Sequence, residues 1–410
     1  MPVRSWPLLL TLLLPSTAAG ELSPLAVEID GVEGVDGLAG AAWAEISPDG
    51  RHAVVAGSFE TALAVFERAP GGELTFRQRI AGPPLQTVTG LAFSPGGEHL
   101  YTVAFNGDAL GIFERDPSTG ELSLLETVAN GRGGVEHLVN PRGLTLSPAG
   151  DALFATSFGD DAVLSFRRDG DGGLTFVEAH VDGVDGVEGL ARAHGVATSP
   201  DGEHLYVASP LDDALSVFRV LAGAALEFLE VVRDGTQGIE GLEEVQSVAV
   251  SPDGGLVATG GHPNAPGGDG WIVLFERDAA TGALSFLDHL PNPASGSLGC
   301  TAGLSDPPAR VRFSPDGRLL YATNAPHQAV AVVTFDRAAG RLRLTDLACV
   351  GEPGVSHLLG VSAVTLDPTG SNVYATATFD NAFVAFSACT LLFADGLETG
   401  DTSAWDLTQP

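Results

Sequence analysis

Lysine is absent from the sequence: all 20 basic side chains among its 410 residues are arginines. A chain without lysine cannot form a Schiff base on a lysine amine, and it cannot build a phosphate-binding loop that depends on a lysine. Positive charge is scarce as well, because 52 aspartates and glutamates oppose those 20 arginines and leave a net charge of −32. Such an excess repels nucleic acids and anionic membranes and attracts cations.

After its N-terminus, the chain also lacks a hydrophobic run long enough to span a membrane. Residues 1–20 contain Arg4, an apolar stretch from Pro7 to Leu14 and small residues up to Gly20, which is the pattern of a secretory signal peptide. Its apolar core is too short to cross a bilayer. We therefore expect an exported monomer, secreted or periplasmic, without a membrane span. We expect its partner to be a small-molecule ligand or an extracellular or envelope protein, and not a nucleic acid.

Cysteine is rare, and the three residues lie far apart at Cys300, Cys349 and Cys389. This spacing does not match a zinc-binding pattern. In an oxidising compartment, an odd number of cysteines predicts one disulfide and one spare thiol. Cys300 and Cys349 are the preferred pair, because both fall in long connections near the sixth unit of the repeat described next.

One turn is repeated along the whole chain. A Pro-x-Gly segment occurs seven times, at intervals of 47 to 63 residues. Its prolines are Pro48, Pro95, Pro148, Pro200, Pro252, Pro315 and Pro368. Each period contains four short β-type runs joined by tight turns, as residues 195–230 show most clearly. Four antiparallel strands per period of about 50 residues predict an all-β, seven-bladed β-propeller with four-stranded antiparallel blades.

The two ends of the repeat region predict how the ring closes. The seventh repeat loses its pattern before a fourth strand, whereas residues 21–28 resemble the fourth strand of the other repeats. We predict that this N-terminal strand completes the last blade, which removes the exposed edges of an open ring. The propeller then spans residues 21–388. We interpret residues 389–410 as a loosely docked C-terminal tail, with a sorting signal as the alternative.

Acidic residues recur in the long connections that precede the inner strands. Twelve residues before the repeat proline, four of the seven connections carry a carboxylate: Asp36, Glu136, Glu188 and Glu240. Carboxylates on glycine-rich loops suit calcium, which takes about six to eight oxygen ligands. The alternative is that each carboxylate caps the backbone of its own loop. Calcium is thus a candidate ion, and we predict no other cofactor and assign no metal ligands.

A second position in the repeat distinguishes the blades from one another. Six residues before the prolines, where each inner strand begins, the chain has Ala42, Thr89, Arg142, His194, Gln246, Ala309 and Ser362. Three adjacent blades therefore carry Arg142, His194 and Gln246 where the others carry small residues. We expect these three side chains to lie side by side at one wall of the channel mouth, because departures from a repeat are where function is easiest to locate.

These residue types indicate hydrolytic chemistry. His194 suits a general base near neutral pH, and Arg142 can stabilise the oxyanion that develops on an ester-like carbonyl. The predicted catalytic residues are Arg142, His194 and Glu188. The predicted substrate-binding residues are Gln246, Glu136, Arg192 and Glu240. The alternative is that Arg142 and His194 only pair with rim carboxylates of adjacent loops.

Three other histidines share a different position. His52, His99 and His204 each follow the repeated proline turn, which lies on the face opposite the long connections. We interpret them as solvated hairpin residues.

Several units of the repeat resemble a known family. The segments Ser-Pro-Asp-Gly-Glu-His-Leu-Tyr-Val-Ala-Ser (199–209), Asp-Asp-Ala-Leu-Ser-Val-Phe (212–218) and Thr-Gly-Ala-Leu-Ser-Phe (281–286) are similar to those of the lactonase family of seven-bladed propellers, which includes 6-phosphogluconolactonase and a muconate-cyclising relative. The resemblance covers residues 21–388. This family carries His-x-His or Pro-Arg-His where inner strands begin, and the chain has a partial version in Pro141-Arg142 and Arg192-Ala193-His194.

Two functions remain open at this point. The resemblance implies lactone chemistry, and export together with the acidic connections favours a substrate without a phosphate group. The first hypothesis is therefore a secreted hydrolase that acts on an unphosphorylated lactone or ester at the channel mouth. The second is a non-catalytic propeller that binds a ligand or a protein, with calcium on its acidic loops.

Overall fold

The computed structural model describes residues 22–261, 272–291, 310–324, 327–350 and 352–388. Within these ranges, 28 strands form seven four-stranded antiparallel sheets, joined by turns that include the short 3₁₀ segments Phe105–Gly107 and Ala222–Ala224. Each sheet is one blade, and in blades 1 to 6 the strand order follows the chain from the channel outward. The predicted seven-bladed propeller is confirmed.

Blades 1 to 4 follow strand β1 (Leu22–Ile29) along the chain. Blade 1 consists of β2 (Ala41–Ile46), β3 (His52–Gly57), β4 (Ala62–Arg68) and β5 (Leu74–Ala81). Blade 2 consists of β6 (Val88–Phe93), β7 (His99–Ala104), β8 (Ala109–Arg115) and β9 (Leu122–Ala129). Blade 3 consists of β10 (Pro141–Leu146), β11 (Ala152–Ser157), β12 (Ala162–Arg168) and β13 (Leu174–Val181). Blade 4 consists of β14 (Gly195–Thr198), β15 (His204–Ser209), β16 (Ala214–Val220) and β17 (Leu226–Arg233).

The last three blades complete the ring. Blade 5 consists of β18 (Val245–Val250), β19 (Leu256–Gly261), β20 (Ile272–Arg277) and β21 (Leu284–Leu290). Blade 6 consists of β22 (Val311–Phe313), β23 (Leu319–Asn324), β24 (Ala329–Asp336) and β25 (Arg341–Cys349). Blade 7 consists of β26 (Val361–Leu366), β27 (Asn372–Ala377) and β28 (Ala382–Ala388), with β1 as its fourth strand.

Ring closure occurs as the sequence predicts. Strand β1 pairs antiparallel with β28, from Leu22 opposite Ala388 to Ile29 opposite Ala382. The first and last described strands therefore share one sheet, and the ring has no open edge between blades 7 and 1. The predicted signal peptide (residues 1–20) and the predicted tail (389–410) lie outside the described residues. No helix in the described part of the chain is long and apolar enough to cross a membrane.

The repeated turn joins the first and second strands of each blade. In blade 1 the Gly50 amide donates to the Ser47 carbonyl at 2.8 Å, and Gly50 adopts the left-handed φ of +70° that glycine tolerates best. The Ser47 hydroxyl oxygen accepts a hydrogen bond from the His52 amide at 3.0 Å. These short-range bonds explain why serine and glycine recur at fixed places around the proline.

Blades pack face to face, so their middle strands form the core. Strands β3, β7, β11, β15, β19 and β27 are buried at every residue, whereas the outer strand β5 alternates between half-buried and exposed residues. Cys349, at the end of β25, is buried and forms a disulfide. Its predicted partner Cys300, and Cys389, lie outside the described residues.

The prediction that the turn histidines are solvated was wrong. His52, His99 and His204 are only 2%, 8% and 1% exposed. Each imidazole Nδ1 lies 2.8 to 3.0 Å from a guanidinium nitrogen of a neighbouring blade, and the three pairs are His52 with Arg115, His99 with Arg168, and His204 with Arg277. The sequence shows the turn but not the neighbouring blade whose arginine covers it.

Candidate functional site at the channel mouth

A cavity of about 420 Å³ lies at the face where the long connections enter the inner strands. Six of the seven residues that begin the inner strands line it: Ala42, Thr89, Arg142, His194, Gln246 and Ser362. The seventh, Ala309, lies outside the described residues. Arg142, His194 and Gln246 come from blades 3, 4 and 5, so the structure brings the three together on one side of the cavity.

Glycine lets these inner strands approach one another closely. Gly143 follows Arg142, and a Cβ atom added to it would overlap the His194 carbonyl oxygen of the next blade. Gly195 follows His194, and an added Cβ would lie 2.7 Å from the Gln246 carbonyl oxygen. Because larger residues would push the strands apart, glycine at these places holds the polar residues near one another.

Aromatic rings hold Arg142 in place. The centre of its guanidinium lies 4.2 Å from the centroid of the Phe105 ring and 5.0 Å from that of Phe158. Burial lowers the pKa of Arg142 to about 10, so the group keeps its positive charge at neutral pH. Arg142 forms no ion pair with any residue that the structure describes, and its Nε atom is buried without a hydrogen-bond partner.

Arg310 is a second cation at the cavity that sequence reasoning missed. It stands immediately before β22 and stacks on Trp43, with its guanidinium centre 4.5 Å from the ring centroid. Burial, and then repulsion from Arg142, lowers its pKa to about 9. Like Arg142, it makes no ion pair within the described ranges. Its position in the sequence could have indicated it, because Arg310 stands five residues before Pro315, one residue after the place that the channel-mouth residues occupy in the other repeats.

His194 is held in its neutral form. It is 3% exposed, and its pKa is well below the ordinary value of 6.5 because of burial first, then of repulsion from Arg310 and Arg142. A hydrogen bond with the backbone of Gln246 opposes this shift, and the buried Nδ1 atom has no hydrogen-bond partner. The neutral imidazole has one ring nitrogen that can accept a proton, and the lowered pKa makes it a weaker base than a free histidine.

Arg192 and Glu244 also line the cavity, and both owe their positions to one repeated backbone feature. They stand eight residues before the repeat prolines, with left-handed φ angles of 58° and 48°. The amide of Arg192 donates to Asp161 at 2.6 Å, and that of Glu244 donates to Asp213 at 2.7 Å. Each aspartate belongs to the preceding blade. The sequence analysis did not select Glu244, although it stands eight residues before its repeat proline, as Arg192 does.

The predicted rim carboxylates do not reach this cavity. Asp36, Glu136, Glu188 and Glu240 are all exposed, and none is among the lining residues. Glu188 instead lies 3.5 Å from Arg233, and Asp36 lies 3.3 Å from Arg79. The structure therefore does not bring Glu188 or Glu136 to Arg142 and His194. Nor do Arg142 and His194 pair with these carboxylates in the part of the chain that is described.

Loop capping falls to a different residue of the same motif. A side-chain oxygen six residues before each carboxylate accepts a hydrogen bond from a leucine amide at 2.9 to 3.1 Å, and these oxygens belong to Asp30, Asn130, Asp182 and Asp234.

Only around blade 1 do three described carboxylates gather, with oxygens of Asp30, Asp36 and Glu60 within 4.8 Å of one another. Arg79 contacts two of them, so part of their charge is already balanced. Calcium stays a prediction from the sequence.

The channel below the cavity is crossed by an ion pair. Arg312 of blade 6 donates two hydrogen bonds to the Glu45 carboxylate of blade 1, at 2.6 and 3.0 Å. This pair spans the channel past blade 7, one layer deeper than the stack of Arg310 on Trp43. Arg312 and Glu45 balance each other's charge, whereas the lining of the cavity contains three guanidinium groups, of Arg142, Arg192 and Arg310, and one carboxylate, of Glu244.

The sequence matches the family model described as Lactonase, 7-bladed beta-propeller, over residues 11–138 and 141–297. The chain belongs to this lactonase family. A 6-phosphogluconolactonase of Formosa agariphila is 24% identical over 314 residues, which cover 72% of this chain and 80% of that protein. The match confirms the resemblance seen in the repeat units, while the family name by itself leaves the substrate open.

Solved structures of proteins with different names share the fold. The periplasmic gluconolactonase of Pseudomonas aeruginosa superposes with a TM-score of 0.59 at 18% identity, covering 81% of this chain and 96% of its own. Hydrazine synthase of Kuenenia stuttgartiensis superposes with a TM-score of 0.63 at 18% identity, covering 88% and 99%. Since these two proteins are named for different chemistries, the likeness shows architecture alone.

Proposed function

We propose that this lactonase-family propeller hydrolyses an unphosphorylated lactone or ester in the cavity at the channel mouth. The observation that carries the proposal is the pair of guanidinium groups, Arg142 and Arg310, that contact no carboxylate among the described residues and lie near a neutral His194. Hydrolysis of a lactone creates negative charge twice, on the carbonyl oxygen in the transition state and on the carboxylate of the product. Both charges suit this cavity.

The chemical step needs one base and one cation. Water attacks the carbonyl carbon while His194 accepts a proton from that water, and Arg142 and Arg310 stabilise the oxyanion. The bond from the carbonyl carbon to the ring oxygen then breaks, and the leaving oxygen receives the proton from His194. Gln246 and Arg192 lie at the cavity and are placed to bind polar groups of the substrate. Glu188 takes no part, because it does not line the cavity.

Two measurements test this proposal. The first is turnover of D-glucono-1,5-lactone, corrected for its spontaneous hydrolysis, and the second is calorimetric binding of D-gluconate. We expect Arg142→Gln and Arg310→Gln each to lower kcat/KM by at least about tenfold, since removal of one oxyanion donor costs that much or more. Arg132→Gln removes an exposed arginine of a long connection and serves as the matched control. Binding of gluconate without turnover of the lactone would favour the non-catalytic alternative. A protein that neither binds gluconate nor hydrolyses the lactone would contradict the proposal.

Export is the second part of the proposal. It rests on the signal-peptide pattern of residues 1–20 and on the acidic composition. Mass spectrometry of the protein recovered outside the cytoplasm should find a mature chain that begins close to residue 20 or 21. An uncleaved chain retained in the cytoplasm would contradict this part while leaving the chemistry of the cavity untouched.

A further inference from the structure

Arg142 and Arg310 differ from most other arginines of the described chain in the groups that contact their guanidinium groups. Most buried or partly buried arginines elsewhere contact carboxylates, as Arg115 does with Asp49 and Arg277 with Asp201. Arg168 is an exception, because it contacts the Tyr101 hydroxyl, the Gly150 carbonyl and His99. Arg142 and Arg310 instead lie against aromatic rings and contact no acid in the described ranges. This is unexpected for a chain with 52 acidic residues and 20 arginines. Glu244 lines the same cavity, but no described carboxylate contacts either of the two central cations.

The rings form one cluster beside Arg142. Its guanidinium contacts both Phe105 and Phe158, and these two rings meet edge to face, 6.0 Å apart from centroid to centroid. Phe158 also contacts Arg192, at 5.3 Å, and the His194 ring, at 6.4 Å. One phenylalanine thus touches three of the polar groups at the cavity.

The repeat shows that these rings are specific to two blades. Phe105 and Phe158 are the first residues after the second strand of blades 2 and 3. The residues at that place in the other described blades are Ser58, Pro210 and Thr378. Aromatic side chains therefore occur at this position only beside Arg142, among the blades where the position is described.

We propose that Phe105, Phe158 and Trp43 are positioning residues that fix Arg142 and Arg310 by cation–π contact and so leave both guanidinium charges free for an anionic ligand. A carboxylate in the same place would hold an arginine equally well, but it would neutralise the charge that the ligand needs. Aromatic rings fix the group through their π faces without adding a negative charge. The role in binding rests on the function proposed above, whereas the placement of the arginines does not.

Discrimination between D-gluconate and its neutral isostere D-gluconamide measures the charge that the cavity presents. In the unmodified protein gluconate should bind more tightly than gluconamide. We expect Phe158→Leu to weaken gluconate binding by about five- to twentyfold while gluconamide binding changes less than about twofold, because a desolvated cation–π contact is of that strength. Phe158→Tyr, which keeps an aromatic ring, should retain the preference for gluconate over gluconamide. Trp43→Leu should reduce this preference in the same way as Phe158→Leu.

Two exposed phenylalanines provide matched controls. Phe59 and Phe379 occupy the loops after the second strands of blades 1 and 7, are 64% and 53% exposed, and lie against neither cavity arginine. Phe59→Leu and Phe379→Leu should leave the affinities for both ligands unchanged. Equal loss of gluconate affinity in these controls and in Phe158→Leu would overturn the proposal, as would unchanged discrimination in Phe158→Leu.

A ligand-free measurement separates this inference from the proposed function. Arginine side-chain NMR should show the Nε–H signal of Arg142 shifted by the ring currents of Phe105 and Phe158, and Phe158→Leu should move it toward the position of an exposed arginine. If the unmodified protein binds no gluconate but the shift is present, the proposed function fails and the positioning stands. If the signal is unshifted in the unmodified protein, the positioning itself is contradicted.

Discussion

Arg277 donates a hydrogen bond from Nη2 to Nδ1 of His204 across 2.8 Å, and so joins blade 5 to blade 4. The same guanidinium donates to the Tyr206 hydroxyl at 2.8 Å and to the Gly254 carbonyl at 3.1 Å, and it contacts Asp201 at 2.7 Å. His204 must be neutral in this arrangement, because a protonated Nδ1 would present a hydrogen toward a cation. Burial, and then repulsion from Arg277, lowers the pKa of His204 accordingly.

Stability should therefore fall on acidification. His52, His99 and His204 all have a lowered pKa when folded, chiefly through burial, so the unfolded chain binds more protons than the folded one near pH 6.5. The contribution of these three histidines to the free energy of unfolding is present above the pKa of about 6.5 that they have in the unfolded chain. It is lost as the pH falls below that value toward their pKa in the folded protein. Urea unfolding should show a decreasing free energy between about pH 7.5 and pH 5.

Blade 7 supplies the matched variant for this test. Asn372 occupies the histidine position there, and its side-chain oxygen accepts a hydrogen bond from Arg68 at 2.6 Å. His204→Asn should keep the contact with Arg277 and reduce the dependence of unfolding free energy on pH. His137→Asn, which replaces an exposed histidine, is the control. An unchanged pH dependence in His204→Asn would show that this imidazole is not the group responsible.

Glycine at the outer hairpin of blade 5 is required by the same imidazole. Gly282 has a φ of +78°, and an added Cβ would overlap Cδ2 of His204. Gly340 has the equivalent place in blade 6, with a φ of +62°, but an added Cβ there meets nothing within 4 Å. We expect Gly282→Ala to lower the unfolding free energy by about 2 kcal/mol more than Gly340→Ala, since both share the backbone strain and only one adds a clash. Equal losses in chemical denaturation would contradict the clash.

The ion pair between Arg312 and Glu45 should stabilise the ring across the channel. Glu45 is 11% exposed at its side chain and Arg312 is 43% exposed, so Arg312→Met leaves a mostly buried carboxylate unpaired. We expect a loss of about 1–3 kcal/mol, below that of a fully buried pair because solvent reaches Arg312. The double variant with Glu45→Leu should recover part of this loss.

A double-mutant cycle on an exposed pair gives the comparison. Arg219 and Glu227 lie 2.7 Å apart with side chains 41% and 51% exposed, so their coupling free energy should be about 0.5 kcal/mol or less. If the coupling of Arg312 with Glu45 is no larger, the channel pair does not contribute to stability beyond a surface contact.

The pH dependence of any lactone hydrolysis should reflect the environment of His194. Its pKa is held well below 6.5 by burial and by the two cavity arginines, so the base stays in its neutral form throughout the neutral range. The kcat/KM value, which reports the free enzyme, should change less than about twofold between about pH 8 and pH 6.5 and decline only at lower pH. A decline centred near pH 7 would assign the base to another group.

Local sequence was sufficient for the architecture. The turns around Pro48 and its six equivalents depend on hydrogen bonds between residues only a few positions apart, so their period could be counted without a structure. The missing fourth strand of the seventh repeat and its copy near Leu22 likewise predicted the closure of the ring. The same counting placed Arg142, His194 and Gln246 at one end of the inner strands, where the structure has them.

Contacts between blades were not accessible in this way. His204 was misjudged because the arginine that covers it lies 73 residues away in the chain, in the next blade. Glu188 was assigned to the site from its distance to the repeat proline, although its side chain turns outward toward Arg233. Arg310 was passed over because it stands one place outside the register, whereas its stack on Trp43 depends on blade 1.

The sequence by itself therefore determined the repeat, the number of blades, the closing strand and the polar start of three inner strands, because each follows from short-range pattern and period. Only the tertiary structure decided which charges meet. In a ring, a side chain that faces the next blade has a neighbour about 50 residues away in the chain. Whether Arg142 faces a carboxylate or a phenylalanine ring is set by that neighbour, and at the channel mouth two guanidinium groups contact aromatic rings and no described carboxylate.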